Sequence, residues 1–435
     1  MSKIICSLEE WDSIINYNRP NGSSKTWYVK ELKRLSRPLM WADWNIFSEQ
    51  GDMFDGDMFK NLVATNYFNN MEYREEKDIK NETHLYTINV FNPNYFIENE
   101  DIGFSCVSEK YLQDIKEGKS KILLVFPYEG YSGIENNRDF EIIESWRIKM
   151  GLPIDSIFYI SGNLLCQEIV KKLGYGYQAR PVHYFEPWNK YNDNNYVEFK
   201  PIDDKYLFLS YNRQPRHHRI ILAVELLKNK LFNKGLISLN NFFIHQNDIK
   251  EDVEHYNYLM DNTPFVIDSK YGLDYNLAIN ITKKDYEKTF ISLITETLVD
   301  NGTLFFSEKI WKPIMVGHPF ILYGCQGSLK YLKSLGYKTF DRWIDESYDD
   351  EPERNNRCRM IVNELNKFST KPIDELHLIR KEMNEICAHN QAQFKINYLK
   401  KYGGNESNSE IRNIFNEVWK SLKGNENKEI KQNLI

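Results

Sequence analysis

Four groups of residues have types and spacings suited to chemistry. Glu296 closes an apolar run, FISLITE, and a polar loop then leads to Ser307-Glu308-Lys309 at the start of an amphipathic segment. A Glu and a Lys at a helix start after a strand sit where a phosphorylated ligand would lie, because helix N-termini favour anions. An ordinary charged first turn is the competing reading. Arg213, Arg216 and Arg219 form the second group, on a strand-to-helix loop with Pro215 near the helix start. Guanidinium adds bidentate phosphate contacts that persist at neutral pH, and positions three apart share a helix face; a solvated basic face is the alternative. His217 and His218 lie among these arginines with no metal partner in the pattern.

The third group is Trp41, Asp43 and Trp44. Aromatic faces stack on apolar sugar faces while a carboxylate accepts from hydroxyls, so the trio reads as an acceptor platform. Core tryptophans with Asp43 capping a turn are the plainer reading. Glu129 and Glu135 make the fourth group, on the loop after the first clear strand. A loop carboxylate there can act as general base on an acceptor hydroxyl, or simply be solvated.

Several elements must position these groups. KSKILLVF, DFEIIESWRIKMG, SIFYISGN and LLCQEIVKKLGYG read in turn as strand, helix, strand and helix, which implies parallel strands. Ser161-Gly162-Asn163 ends the second strand, as a ligand approach or as a helix cap. ARPVHYF is a third strand, followed by a polar linker. KYLFLSYN then begins a second series, with a helix running to about Lys230. FISLI is a buried strand, Glu308 to Val316 a short helix, and Pro319 to Tyr323 the next strand. GSLKYLKSLGYKTFDRWIDESYDD reads as a helix, a short strand and an acidic loop. Helices over Pro352 to Lys367, Ile373 to Lys401 and Ser409 to Leu422 follow.

At 435 residues the chain has room for two cores. A formal charge of -6 argues against broad electrostatic coating of nucleic acid, although Lys25, Lys30, Lys33 and Arg34 allow a local basic patch. Six scattered cysteines without metal-like spacing read as free thiols in a reducing compartment. The acid-bearing N-terminus does not fit a signal peptide, and no 18 consecutive residues are apolar. The expectation is a soluble cytoplasmic protein, in the host cytoplasm if phage-encoded.

The run from Glu296 through Ser307-Glu308-Lys309 to Gly317-His318-Pro319 resembles the donor-binding segment of the α-1,3-fucosyltransferases (glycosyltransferase family 10). That family carries an acid-Asn-Ser stretch, a loop, Thr-Glu-Lys and a helix leading to a Pro-containing strand. Here Thr297 follows the acid, Ser307 replaces Thr, and the loop is longer. The family also opens its donor domain with a strand, an Arg-bearing loop and a helix, in the same order as here. The pattern is similar, too, to sugar-nucleotide transferase-like proteins of large phages.

The resemblance implies a GT-B-like α/β fold, two Rossmann-like domains facing a cleft, with C-terminal helices. Residues 1–117 would be an N-terminal α+β region of the acceptor side, 118–200 the acceptor-side domain, 201–345 the donor domain, 346–423 C-terminal helices and 424–435 a disordered tail. It also implies inverting transfer from a GDP- or UDP-sugar to a hydroxyl of a glycan or other acceptor. Arg213, Arg216, Arg219 and Lys309 would meet the diphosphate, Ser307 and Glu308 the donor, and Glu296 the sugar or the loop. Glu129 or Glu135 would be the base, and Trp41, Asp43 and Trp44 would hold the acceptor. No Asp-x-Asp stands at a strand end; Asp203-Asp204 and Asp349-Asp350 are the paired acids. Cationic side chains can take the place of Mg²⁺, so no metal or other cofactor is expected. Two other readings stay open: a DNA-modifying glycosyltransferase acting on a hydroxylated base, and a non-catalytic carbohydrate-binding protein on a transferase scaffold.

Overall fold

The computed structural model describes residues 4–7, 71–74, 79, 82–89, 107–126, 138–183, 206–242, 252–265, 267, 281–402 and 413–423. Trp41, Asp43, Trp44, Glu129 and Glu135 lie outside these, as does the 424–435 tail. The chain divides into two compact units, Met1–His183 with Lys401–Ile435, and Tyr184–Lys400. Each is α/β with an all-parallel sheet, the class expected from the sequence.

The first unit holds β1 (Ile4–Ser7), β2 (Met71–Arg74), β3 (His84–Asn89), β4 (Ser120–Phe126), β5 (Ile157–Ser161) and β6 (Gln178–Pro181), in the order β2-β1-β3-β4-β5-β6. Strands of a parallel sheet are covered on both faces and so read as continuous apolar runs, as KILLVF and IFYIS do. Side-chain alternation sorts them: Ile122, Leu124, Ile157 and Tyr159 share a core with α1 (Glu109–Lys116), α2 (Arg138–Lys149) and α3 (Cys166–Leu173). Leu85, Leu123, Phe158, Ile160 and Val182 face the other way, onto Ile414, Phe415, Val418, Trp419 and Leu422. The helix 413–423 thus covers the sheet of the first unit, and Lys121 to Ser421 (3.1 Å) and Arg180 to Glu417 (2.6 Å) fix its place.

The second unit holds β7 (Phe208–Asn212), β8 (Gly235–Leu239), β9 (Ile291–Thr295) and β10 (Phe320–Tyr323), in the order β10-β9-β7-β8. Its helices are α4 (His217–Lys228), α5 (Val253–Asn262), α6 (Lys283–Glu287), α7 (Glu308–Val316), α8 (Ser328–Ser334), α9 (Arg354–Ser369) and α10 (Ile373–Tyr402). All five residues of β9 are buried. The chain leaves β7 for β8 on one side and later returns to β9 on the other. That reversal makes the β7/β9 boundary a topological switch point, where ligands of open parallel sheets bind beyond the strands' C-terminal ends.

The ladder itself opens there. β7 and β8 stay paired to Asn212 and Leu239, and β9 and β10 to Thr295 and Tyr323. Between β7 and β9 only Phe208 with Ile291 and Leu209 with Ser292 are in register. The last residues of these two strands therefore part.

One expected element is absent. The short strand expected after α8 does not form, because side chains satisfy its backbone instead: Asn390 takes both the N–H and the carbonyl of Lys338 at 2.8 Å, and Glu346 accepts from Phe340 N at 2.9 Å. Of the expected C-terminal helices, α9 and residues 373–400 of α10 belong to the second unit, and 413–423 to the first.

Candidate functional site

Two helix starts flank the opening. At the first, the apolar β7 ends in Asn212, and Pro215 delays the helix until Arg216, an extended N-cap (φ -72, ψ 150) with no side-chain capping bond. No acid occupies the first turn of α4, where a carboxylate would offset the positive end of the helix dipole. The carbonyl of Arg213 accepts from Asn240 N (3.2 Å), tying this loop to the residue after β8. Arg213 and Arg216 are both half-buried.

At the second start, Ser307 is the N-cap of α7. Its Oγ accepts from Lys309 N (3.3 Å) and donates to Glu296 Oε2 in a short bond. The same carboxylate oxygen accepts from Ser307 N (3.0 Å) and Thr297 N (3.3 Å). Glu296 is fully buried, and its Oε1 accepts nothing from the described residues. Buried oxygens are nearly always satisfied, so an idle one at a sheet switch point marks a place for a ligand or water hydrogen. Lys309 Nζ meets Glu308 Oε1 at 2.9 Å, Ser307 Oγ at 3.2 Å and Thr297 Oγ1 at 3.4 Å. At the far end of α7, Gly317 takes the left-handed conformation (φ 73) that closes the helix.

Glu296 joins the two starts. Its N–H donates to Tyr323 O at 2.9 Å, and its carbonyl, left without β7, accepts from His218 Nε2 (3.0 Å) and an Arg219 guanidinium N–H (3.3 Å). A carbonyl only accepts, so His218 Nε2 carries its proton. Burial, with Arg219 adjacent, lowers the imidazole's pKa to about 3, and His218 is a neutral donor.

The two acids of the site differ. Burial raises Glu296 above the usual carboxylate range, against the pull of Lys309 and the Ser307 bonds. Glu308 is also raised by burial, but Lys309 and Lys312 outweigh this and bring it to about 2. Glu308 is thus held as an anion, paired with the Lys309 ammonium at 2.9 Å.

The structure therefore gathers Glu296, Ser307, Glu308 and Lys309 into one network and sets Arg213 and Arg216 on the neighbouring loop. Arg219 departs from the expectation that it faces phosphate. It is 3% exposed and bonded to the carbonyls of Gln214 (3.0 Å) and Glu296, because the parting of β7 from β9 leaves carbonyls that a nearby donor must fill. Sequence reasoning set His218 aside for want of a metal partner; its role is a hydrogen bond to backbone, which no spacing announces.

No family model matches the chain, and no curated protein matches it in sequence. Solved structures do. A DNA-modifying β-glucosyltransferase studied with and without uridine diphosphoglucose is 11% identical, over 92% of this chain and 98% of its own, with a TM-score of 0.32. T4 phage BGT in complex with UDP and Mn²⁺ is 13% identical over 96% and 99%, with a TM-score of 0.34. An α1,3-fucosyltransferase is 12% identical over 88% and 89%, with a TM-score of 0.30. These likenesses are too distant to carry an argument about activity, which rests on the residues above.

The T4 phage complex does overturn one expectation, that no metal is involved, since it holds Mn²⁺ with its UDP. The physical reason is that an absent Asp-x-Asp does not exclude an ion: a diphosphate can itself supply much of a divalent ion's oxygen shell, with few protein carboxylates. Among the described residues no group of three or more His, Cys, Asp or Glu could hold a metal. No helix among the described residues is long and apolar enough to cross a membrane.

Proposed function

We propose that this chain is a glycosyltransferase that moves a sugar from a nucleoside diphosphate sugar, with GDP or UDP as the nucleotide, to an acceptor hydroxyl with inversion. The observation that carries this reading is the joining, through Glu296, of two helix starts where β7 and β9 part: a cationic start at Arg213 and Arg216, and a Ser-Glu-Lys start at Ser307 to Lys309. Helix N-termini with cations stabilise the charge that grows on a departing diphosphate. In this reading Arg213, Arg216 and Lys309 bind the diphosphate. Glu308, held ionised, accepts from ribose or sugar hydroxyls. Glu296 fixes the loop through Oε2 and presents Oε1 to the donor. A carboxylate of the first unit, Glu129 or Glu135, takes the acceptor's proton as its oxygen attacks the anomeric carbon, and Trp41, Asp43 and Trp44 hold the acceptor.

A panel of GDP- and UDP-sugars, assayed for hydrolysis and for transfer to glycan and to hydroxylated DNA acceptors with and without Mn²⁺, tests the proposal. Turnover of one donor with release of its nucleoside diphosphate is expected. Sugar binding with no nucleotide affinity and no turnover would replace it with a non-catalytic carbohydrate-binding role.

A further inference from the structure

Arg357, one turn into α9, is 1% exposed and uses its whole guanidinium on backbone and loop. One terminal nitrogen donates to Val299 O (2.9 Å) and Gly324 O (2.6 Å). The other donates to Glu351 O (2.8 Å), Asn301 Oδ1 (3.3 Å) and Pro352 O (3.4 Å), and Nε donates to Glu351 O (3.0 Å). Val299 and Asn301 lie in the loop between Glu296 and Ser307, and Gly324 directly follows β10.

The same loop is held at its other points. Cys325 Sγ donates to Leu298 O at 3.4 Å, and Arg354 pairs with Asp300 at 2.8 Å. The Glu296 carbonyl is held from α4, and α4 packs against α9. The loop is thus fastened by two helices that lean on one another. A guanidinium carries five N–H donors that can serve buried carbonyls, and its planar fork fixes direction as well as distance, which an ammonium does not.

We propose that Arg357 is a positioning residue for the donor site: it sets the course of residues 297–306, and so the place of Ser307 and Lys309 relative to Glu296, without touching the ligand. This rests on the nucleotide-binding reading above. A residue that merely filled the core would affect global stability and leave the loop and the ligand affinity of the folded protein unchanged.

The test uses the full chain as wild type, Arg357→Lys and Asn301→Ala, well below their melting temperatures. Hydrogen exchange is followed over 297–306, with β7 as internal reference, and GDP and UDP affinities are measured by calorimetry. In Arg357→Lys, exchange over 297–306 is expected to rise about tenfold or more and Kd to weaken by a similar factor, roughly the effect of one lost charge-assisted bond, while β7 is unchanged. Asn301→Ala, which removes the 3.3 Å contact of an exposed residue, is expected to move both in the same direction by about two- to threefold, and it carries the test if Arg357→Lys does not fold. Unchanged loop exchange, or a looser loop with unchanged Kd, would overturn the role of Arg357 alone. A wild type that binds neither nucleotide would overturn the functional reading and this inference with it.

Discussion

The two helix starts at the β7/β9 opening are built on opposite plans. α4 begins with cations, no acid and no side-chain cap; α7 begins with a capped serine and an internal Glu308–Lys309 pair. The first sets Arg213 and Arg216 on the loop before its first turn, whereas the second pairs its own Glu308 and Lys309 and gains a fixed geometry. A charged ligand would draw its affinity mainly from the first and its alignment mainly from the second. The start of α2 in the first unit follows a third plan. Asp139 is buried there with Tyr159 OH at 3.2 Å, and burial raises it to about 7.

This contrast is open to attack by substitution. Replacing Arg213 and Arg216 together by alanine should cause the largest loss, weakening nucleoside diphosphate binding by roughly 100-fold at low salt, as removal of two charge-assisted contacts would. Equal losses from α4 and α7 substitutions would break the division of labour. Lys309→Ala should cost about tenfold in affinity, less than the double variant, because it removes one cation rather than two; calorimetry ranks the two.

Ser307→Ala should lower stability by about 1–2 kcal/mol through loss of the cap and of the bond to Glu296. Thermal melting would register it, and no change would mean the network is ornamental. Asp139→Asn should act with opposite sign. A carboxyl whose folded pKa is raised to about 7 keeps its proton while the unfolded chain loses it above 3.8, so stability falls as pH rises between those values. Denaturant titrations should show that slope flattened, and Asp139→Asn more stable than wild type at pH 7.5. Glu308→Gln is read against pH. The folded pKa of Glu308 is depressed to about 2 from 4.5, so its contribution is present above 4.5 and disappears as pH falls toward 2. The variant should be less stable than wild type above pH 4.5 and converge with it toward pH 2, and an unaltered acid limb would argue against the Lys309 and Lys312 pairing.

The fold was legible where local pattern decides it. Glu308 to Val316 and FISLI need only apolar spacing and a serine cap, and α7 and β9 lie where those signals put them. β4, α2, β5 and α3 likewise follow runs that are long enough to separate the two periodicities. The start of the first sheet was not legible, because β1 and β2 are four residues each and are defined by neighbours far along the chain. β8 was missed for a related reason: GLISL is short and begins with glycine, which is needed there because a Cβ on Gly235 would sit 2.4 Å from Phe208. At the site, types and spacing flagged Arg213, Arg216, Glu296 and Ser307 to Lys309. They did not distinguish Arg219 from its neighbours, nor reveal His218 or Arg357, since a side chain that serves distant carbonyls leaves no periodic trace.

The most direct test titrates the wild type and the Arg213→Ala/Arg216→Ala variant with UDP and with GDP, each with and without Mn²⁺. Saturable binding of at least one nucleotide to the wild type, weakened about tenfold or more in the variant, is the expected result. Absence of binding by either nucleotide under both conditions, or a variant that binds as tightly as the wild type, would contradict the assignment of this opening as the diphosphate site.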